Sequence, residues 1–206
     1  MSRCSFFNDP PPSRNSTAGS CSGTIYNVSG GTSPSAPWNG AGKVVGTAGT
    51  GTLSFTDENN GSFFYVLNGV PGIKTITRER FSNGTPQFSV DYTDLWWNPD
   101  ESGWGIALTQ DHGIIFAAWY AYDGNGKAIW YVASSCPLAS GASGNGCSGD
   151  LYQVSGGSPP NAAWSPNLLV TKVGTISFVF SDANNALMSY TLNGSSSTRS
   201  ISRQAF

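Results

Sequence analysis

Few side chains in this sequence could run acid–base chemistry. His112 is the single histidine, so any Ser/His or Cys/His relay has to use it. It stands in Asp111-His112-Gly113, a turn-forming string between two strand-like runs, where such residues usually serve the turn. Glu101, between Pro99 and Gly103, is the second candidate. A carboxylate in a loop entering a strand can orient a ligand hydroxyl, or act as a base if burial raises its pKa; it can equally cap the loop or pair with Arg203. Gly19-Ser20-Cys21-Ser22-Gly23 has the outline of a nucleophile elbow with Cys for Ser, but no strand-to-helix unit surrounds it. Asp123-Gly124-Asn125-Gly126 contains a fragment of a calcium loop, lacks the remaining acidic positions, and reads as a hairpin turn. Phosphate-binding glycine motifs, paired catalytic carboxylates and transition-metal clusters are missing. The expectation is therefore no cofactor, no metal, and a protein that leans away from catalysis; a hydrolase using Glu101 or His112 is the alternative.

The aromatic residues are more informative. Trp96, Trp97, Trp104, Trp119 and Trp130 fall within 35 residues, with Tyr120, Tyr122 and Tyr131 among or beside them. Indole and phenol rings bury large flat areas while keeping a polar handle, as a platform for sugars or other small flat apolar molecules requires. The same rings could instead fill a core. Strand alternation sets Trp119 on the opposite face from Tyr120 and Tyr122, and Trp130 opposite Tyr131. The candidate ligand-binding set is Trp96, Trp97, Glu101, Trp104, Trp119, Tyr120, Tyr122, Trp130, Tyr131 and Arg203.

The elements that must position these residues read as strands. Charged residues make up 11% of the chain and aromatic ones 13%, with 26 Gly and 12 Pro, the composition of short strands joined by many turns. A net charge of −2 with scattered basic residues offers no footprint for nucleic acid. No apolar run is long enough for a transmembrane helix. Nor does one follow Met1 as a secretion signal would, so Met1 is expected to lie inside a longer reading frame.

Cys21-Ser-Gly-Thr-Ile-Tyr-Asn-Val-Ser-Gly-Gly returns as Cys147-Ser-Gly-Asp-Leu-Tyr-Gln-Val-Ser-Gly-Gly, and Trp38 returns as Trp164. Phe55, Asp57, Asn59 and Asn60 match Phe180, Asp182, Asn184 and Asn185; Tyr65, Leu67, Asn68 and Gly69 match Tyr190, Leu192, Asn193 and Gly194. Strands are expected at 24–29, 43–56, 62–68 and 73–81, and again at 150–155, 168–181, 187–193 and 198–206. Between them, Leu95–Gly105 has no counterpart upstream and, with Glu101 in a loop, leads to strands at 106–110, 114–122 and 128–135. Residues 1–81 thus form the rear half of a repeat, 82–93 a linker, and 94–206 one complete repeat. Cysteines occur as local pairs, Cys4 with Cys21 and Cys136 with Cys147; without histidine partners these read as disulfides, which imply an extracellular or periplasmic address.

So many consecutive antiparallel strands leave unpaired edges unless the sheet closes. The expected fold is all-β, an antiparallel up-and-down barrel or curled meander, with a β-sandwich as second choice. The half repeat needs strands from the complete unit or from another molecule, so a homo-oligomer built by strand exchange is an expected partner arrangement.

The strings Leu95-Trp96-Trp97-Asn98-Pro99-Asp100-Glu101-Ser102-Gly103-Trp104-Gly105, Phe116-Ala117-Ala118-Trp119-Tyr120-Ala121-Tyr122-Asp123 and Trp130-Tyr131-Val132, with the ending Ile201-Ser202-Arg203-Gln204-Ala205-Phe206, resemble a family of bacterial secreted repeat proteins. That resemblance implies architecture and compartment, and no particular activity. A looser likeness is to calycin barrels of the lipocalin and avidin-like kind, in which a Trp near the first strand packs beneath a basic residue of the last; it implies a Trp104–Arg203 pair. The function these readings favour is a noncatalytic secreted module that binds a carbohydrate or another small flat apolar ligand, or serves surface display. A structural unit assembled by strand exchange is the further alternative.

Overall fold

The computed structural model describes residues 5–6, 19–82, 84, 88–139 and 145–204. Its strands are β1 (Ser5–Phe6), β2 (Gly19–Ser29), β3 (Val44–Phe55), β4 (Asn60–Leu67), β5 (Val70–Thr77), β6 (Asp94–Trp97), β7 (Gly105–Asp111), β8 (Ile114–Tyr122), β9 (Ala128–Pro137), β10 (Gly146–Gly156), β11 (Leu168–Phe180), β12 (Asn185–Leu192) and β13 (Ser195–Arg203). β1 to β5 form an open five-stranded sheet in sequence order. The other eight close into a barrel in the order β10-β11-β12-β13-β6-β7-β8-β9.

The described chain divides into two compact units. One holds the residues up to Asn27, Val45–Glu79 and Gly157–Asn167; the other holds Val28–Val44, Arg80–Gly156 and the chain from Leu168 on. The barrel therefore carries with it the loop that joins β2 to β3, and the open sheet carries the loop that joins β10 to β11.

Alternation builds the barrel core. On β8, Ile115, Ala117, Trp119 and Ala121 are buried, and on β12 Ala186, Met188, Tyr190 and Leu192 are buried, so each strand turns alternate residues inward. Hairpin turns set the register. Asn68 and Gly69 join β4 to β5, and Asn193 and Gly194 join β12 to β13, with φ of 50°, 80°, 49° and 83°. Both turn positions require positive φ, which is why Asn-Gly occupies them. The β3–β4 and β11–β12 turns are likewise built alike: Asp57 Oδ1 accepts from Asn59 N and Asp182 Oδ1 from Asn184 N, each at 2.7 Å.

Two expectations need correction. Residues 94–97, expected to carry no strand of their own, are the short strand that closes the barrel: Ser202 and Arg203 of β13 pair with Trp97 and Trp96, and Trp96 pairs on its other side with Ile106 of β7. Four residues rich in Trp carry too little alternation to announce a strand. The calycin-type pairing also uses a different tryptophan. Arg203 lies over the ring of Trp96, its Cζ 5.2 Å from the ring centre, while Trp104 sits at the opposite end of the barrel. Arg203 further binds Asp94 Oδ2 at 2.9 Å, Asp91 O at 2.9 Å and Ala183 O at 2.9 Å. Its guanidinium thus ties the β13–β6 seam with nearly every donor engaged.

Below that seam the interior is solid. Trp96 is fully buried with its Nε1 donating to Tyr92 O at 3.0 Å, and Tyr92 stacks on Phe180 at 3.7 Å. Tyr92, placed in the expected linker, is part of this core. Cys136 and Cys147 are disulfide-bonded between β9 and β10. Cys21 is disulfide-bonded as well; its expected partner, Cys4, lies outside the described residues.

Candidate functional site

The barrel end formed by the β6–β7 connection and the β8–β9 and β12–β13 turns brings together the polar and aromatic side chains most suited to hold a ligand. Pro99–Glu101 make one turn of 3-10 helix, started by Pro99 and capped by Asn98, whose Oδ1 accepts from Asp100 N at 3.0 Å. This turn sets the Glu101 carboxylate against β13. Glu101 Oε2 receives both the indole N–H of Trp104 at 3.1 Å and Arg199 Nε at 3.1 Å. The paired side chains keep only 21% and 22% of their surface exposed, so the ion pair works in partly dehydrated surroundings. Its second carboxylate oxygen, Oε1, has no hydrogen-bond partner among the described residues.

Beneath the pair lies Trp119, in T-shaped contact with Trp104 at 6.4 Å and tilted against Tyr131 at 5.4 Å and Tyr190 at 4.7 Å. Trp119 is 2% exposed, and its Nε1–H has no acceptor; among the described residues only Ser158 Oγ shares that condition. A buried donor without a partner costs about 1–3 kcal/mol, a cost that a ligand or water oxygen would remove.

The β2–β3 loop covers this mouth as a strap. Gly30 N donates to Gly126 O at 2.7 Å, Ser29 bridges to Lys127, and Lys43 Nζ reaches Ser102 Oγ at 3.1 Å. Tyr190 Oη donates to Pro34 O at 2.9 Å. Gly31 lies flat on the buried Tyr122 ring, so near that an added Cβ would sit 2.1 Å from a ring carbon. The pocket left beneath the strap is walled by Trp38, Glu101, Trp104, Trp119, Tyr190 and Arg199 and has a volume of about 20 Å³, room for about one water molecule.

The sequence-derived ligand set therefore splits three ways. Glu101, Trp104 and Trp119 meet at the mouth, with the buried Tyr131 against Trp119 and the buried Tyr122 near Trp104. Burial pushes the phenols of Tyr122 and Tyr131 above the ordinary tyrosine range, with Asp123 adding to the shift at Tyr131. Tyr120 and Trp130 are cross-strand neighbours on the outer surface, about half exposed. Trp96 and Arg203 belong to the opposite end, and Trp97 lies on β6 next to Trp96, facing away from the interior. Glu101 pairs with Arg199, not with Arg203 as expected: β13 carries both arginines inward, with Arg203 its last residue and Arg199 at its middle, nearer the mouth.

Arg199, Tyr190 and the strap with Trp38 were not among the expected site residues. Signals for each are present: Arg199 alternates with Ile201 and Arg203, and Tyr190 and Trp38 recur as Tyr65 and Trp164. Nothing local to the sequence says that a loop between β2 and β3 reaches the mouth of a barrel made from β6 onward.

His112 and Glu101 flank β7 at its two ends, roughly 20 Å apart at ~3.3 Å per residue. They do not share a site. His112 takes the turn's left-handed conformation with φ 57°, and its Nδ1 lies 2.8 Å from Asp111 Oδ1. Burial works against the charge on Asp111, yet the backbone N–H groups of Ser82 and Phe81 and the His112 ring hold its carboxyl below the usual range. Asp123 Oδ1 accepts from Asn125 N and Lys127 N, each at 2.9 Å, which is hairpin-turn bonding. Among the described residues no three His, Cys, Asp or Glu side chains are placed to hold a metal ion, and no helix is long and apolar enough to cross a membrane.

In comparisons with known proteins, no family matches the chain, and no characterised protein or solved structure is significantly similar to it.

Proposed function

We propose that the chain is a noncatalytic binding module of the extracellular space or periplasm, and that one hydroxyl group of its ligand enters the barrel mouth between Glu101, Trp104, Trp119, Tyr190 and Arg199. The observation that carries this reading is the indole N–H of Trp119, buried at 2% exposure without an acceptor in a pocket walled by aromatic rings. A hydroxyl group is the chemistry that accepts from such an indole and donates to a carboxylate oxygen such as Glu101 Oε1. Ring faces beside hydroxyl-binding groups favour a carbohydrate or another small, flat, hydroxylated molecule. The disulfide supports an oxidising compartment, as does the resemblance to bacterial secreted repeat proteins. Against the alternative, a hydrolase using Glu101 or His112, stands that the Glu101 carboxylate is engaged by Arg199 and Trp104 and that His112 is bonded to Asp111 within a turn.

A glycan array, followed by tryptophan-fluorescence titration with its best neutral oligosaccharide, tests the reading. Binding is expected, and Trp119→Phe should abolish it while moving the melting temperature by only a few degrees. A protein that binds nothing on the array, or a Trp119→Phe variant that binds as the parent does, overturns the proposal.

A further inference from the structure

The strap over the mouth has a counterpart, and the two point to what the mouth receives. Tyr190 donates its hydroxyl to Pro34 O within the barrel unit, and Tyr65 donates its hydroxyl to Pro160 O within the open-sheet unit. Tyr65 and Tyr190 are equivalent positions in the duplicated sequence, as are Pro34 and Pro160, in Gly30-Gly31-Thr32-Ser33-Pro34 and Gly156-Gly157-Ser158-Pro159-Pro160. Both tyrosines are buried, at 1% and 5% exposure. The same contact is thus made at both places, and each time the loop comes from the other copy.

We infer that the tyrosine-lined sheet end is a socket whose partner is the Gly-Gly-x-x-Pro loop of another copy of the repeat, so that successive copies are joined by exchanging loops. The bond is specific in chemistry: a buried phenol has no water to turn to and takes a backbone carbonyl that proline presents without a competing N–H. It is specific in shape too at the barrel mouth, because Gly31 passes over Tyr122 at a distance that no side chain tolerates. The complete socket adds a third contact. Trp38 sits beside Trp104 and is 41% exposed, whereas Trp164, whose socket lacks the Glu101–Trp104 segment, is 77% exposed. A socket built from the full barrel therefore grips both the proline carbonyl and the tryptophan of the incoming loop.

Freeing the socket tests this. Gly31→Val drives the strap off the Tyr122 ring; a second variant replaces Thr32–Trp38 with a Gly/Ser segment of equal length, in case the first fails to fold. A fluorescein-labelled synthetic peptide of residues 30–43 is then followed by anisotropy with each variant and with the parent, whose own strap competes at an effective concentration on the order of millimolar. The freed sockets should bind the peptide at least about ten-fold more tightly than the parent, and adding Tyr190→Phe should weaken that binding about ten-fold, as loss of one buried hydrogen bond predicts. A folded variant with a freed socket that does not bind, or one whose binding ignores Tyr190→Phe, overturns the inference. Adding Trp119→Phe to a freed socket should leave peptide binding intact while removing oligosaccharide binding, so the socket and the ligand site can fail separately.

Discussion

Glu101 meets Arg199 where neither is in bulk water, and this decides how the mouth responds to substitution. Removing one member of such a pair leaves the other charged and poorly solvated. Arg199→Met should lower stability by about 2 kcal/mol in urea denaturation, less than for a fully buried pair because each side chain keeps about a fifth of its surface in water. Glu101→Gln should cost less, since its amide oxygen still accepts from the Trp104 indole. A variant Arg199→Met as stable as the parent would show that the pair contributes nothing. Sequence reading reached Glu101, Trp104 and Trp119 here because loop carboxylates and clustered indoles are conspicuous. It named Arg203 as the cation because alternation tells which face a side chain takes and leaves open how far along the strand the loop meets it.

β6 is the element on which closure depends, and it is short. Its ladder to β13 consists of the pairs Ser202 with Trp97 and Arg203 with Trp96, so the guanidinium of Arg203, bonded to Asp94, Asp91 and Ala183, does much of the holding. Arg203→Met should speed hydrogen exchange of the Trp96 and Trp97 amides by about ten-fold or more and leave the β11–β12 ladder unchanged, since a local opening needs only the weaker seam. Equal acceleration throughout would mean that the seam opens only with the whole barrel. On the opposite side, Cys136 and Cys147 fasten β9 to β10 across 11 residues of sequence. Replacing both with Ala should lower stability by about 3 kcal/mol, the usual effect of a loop this size, measured by equilibrium denaturation.

For the molecule as a whole, three phenols tie stability to alkaline pH. Burial raises the pKa of Tyr92, Tyr122 and Tyr131 above the ordinary value. In the unfolded chain these groups ionise near pH 10, before they do so in the fold, so the unfolded state loses protons first and gains stability. Their contribution is complete below about pH 10 and falls as pH rises from there toward the folded values. Urea midpoints should therefore be flat in this respect near neutrality and decline above about pH 10, and Tyr122→Phe should make that decline shallower. An identical alkaline slope in the variant would remove Tyr122 from the account.

Taken alone, the sequence determined the all-β class, the turns and the identity of most strands, because period-two alternation and Asn-Gly turns are local signals that act over a few residues. It also sets Tyr65 and Trp38 in strings that recur around Tyr190 and Trp164. Tertiary structure alone decided that 94–97 close the barrel, that the indoles divide among its lower core, its mouth and its outer wall, and that the loop with Trp38 lies over a mouth assembled from β6 onward. The reason is physical: register across a closed sheet and the path of a long loop are set by contacts between residues far apart in sequence, whose energies no local pattern contains.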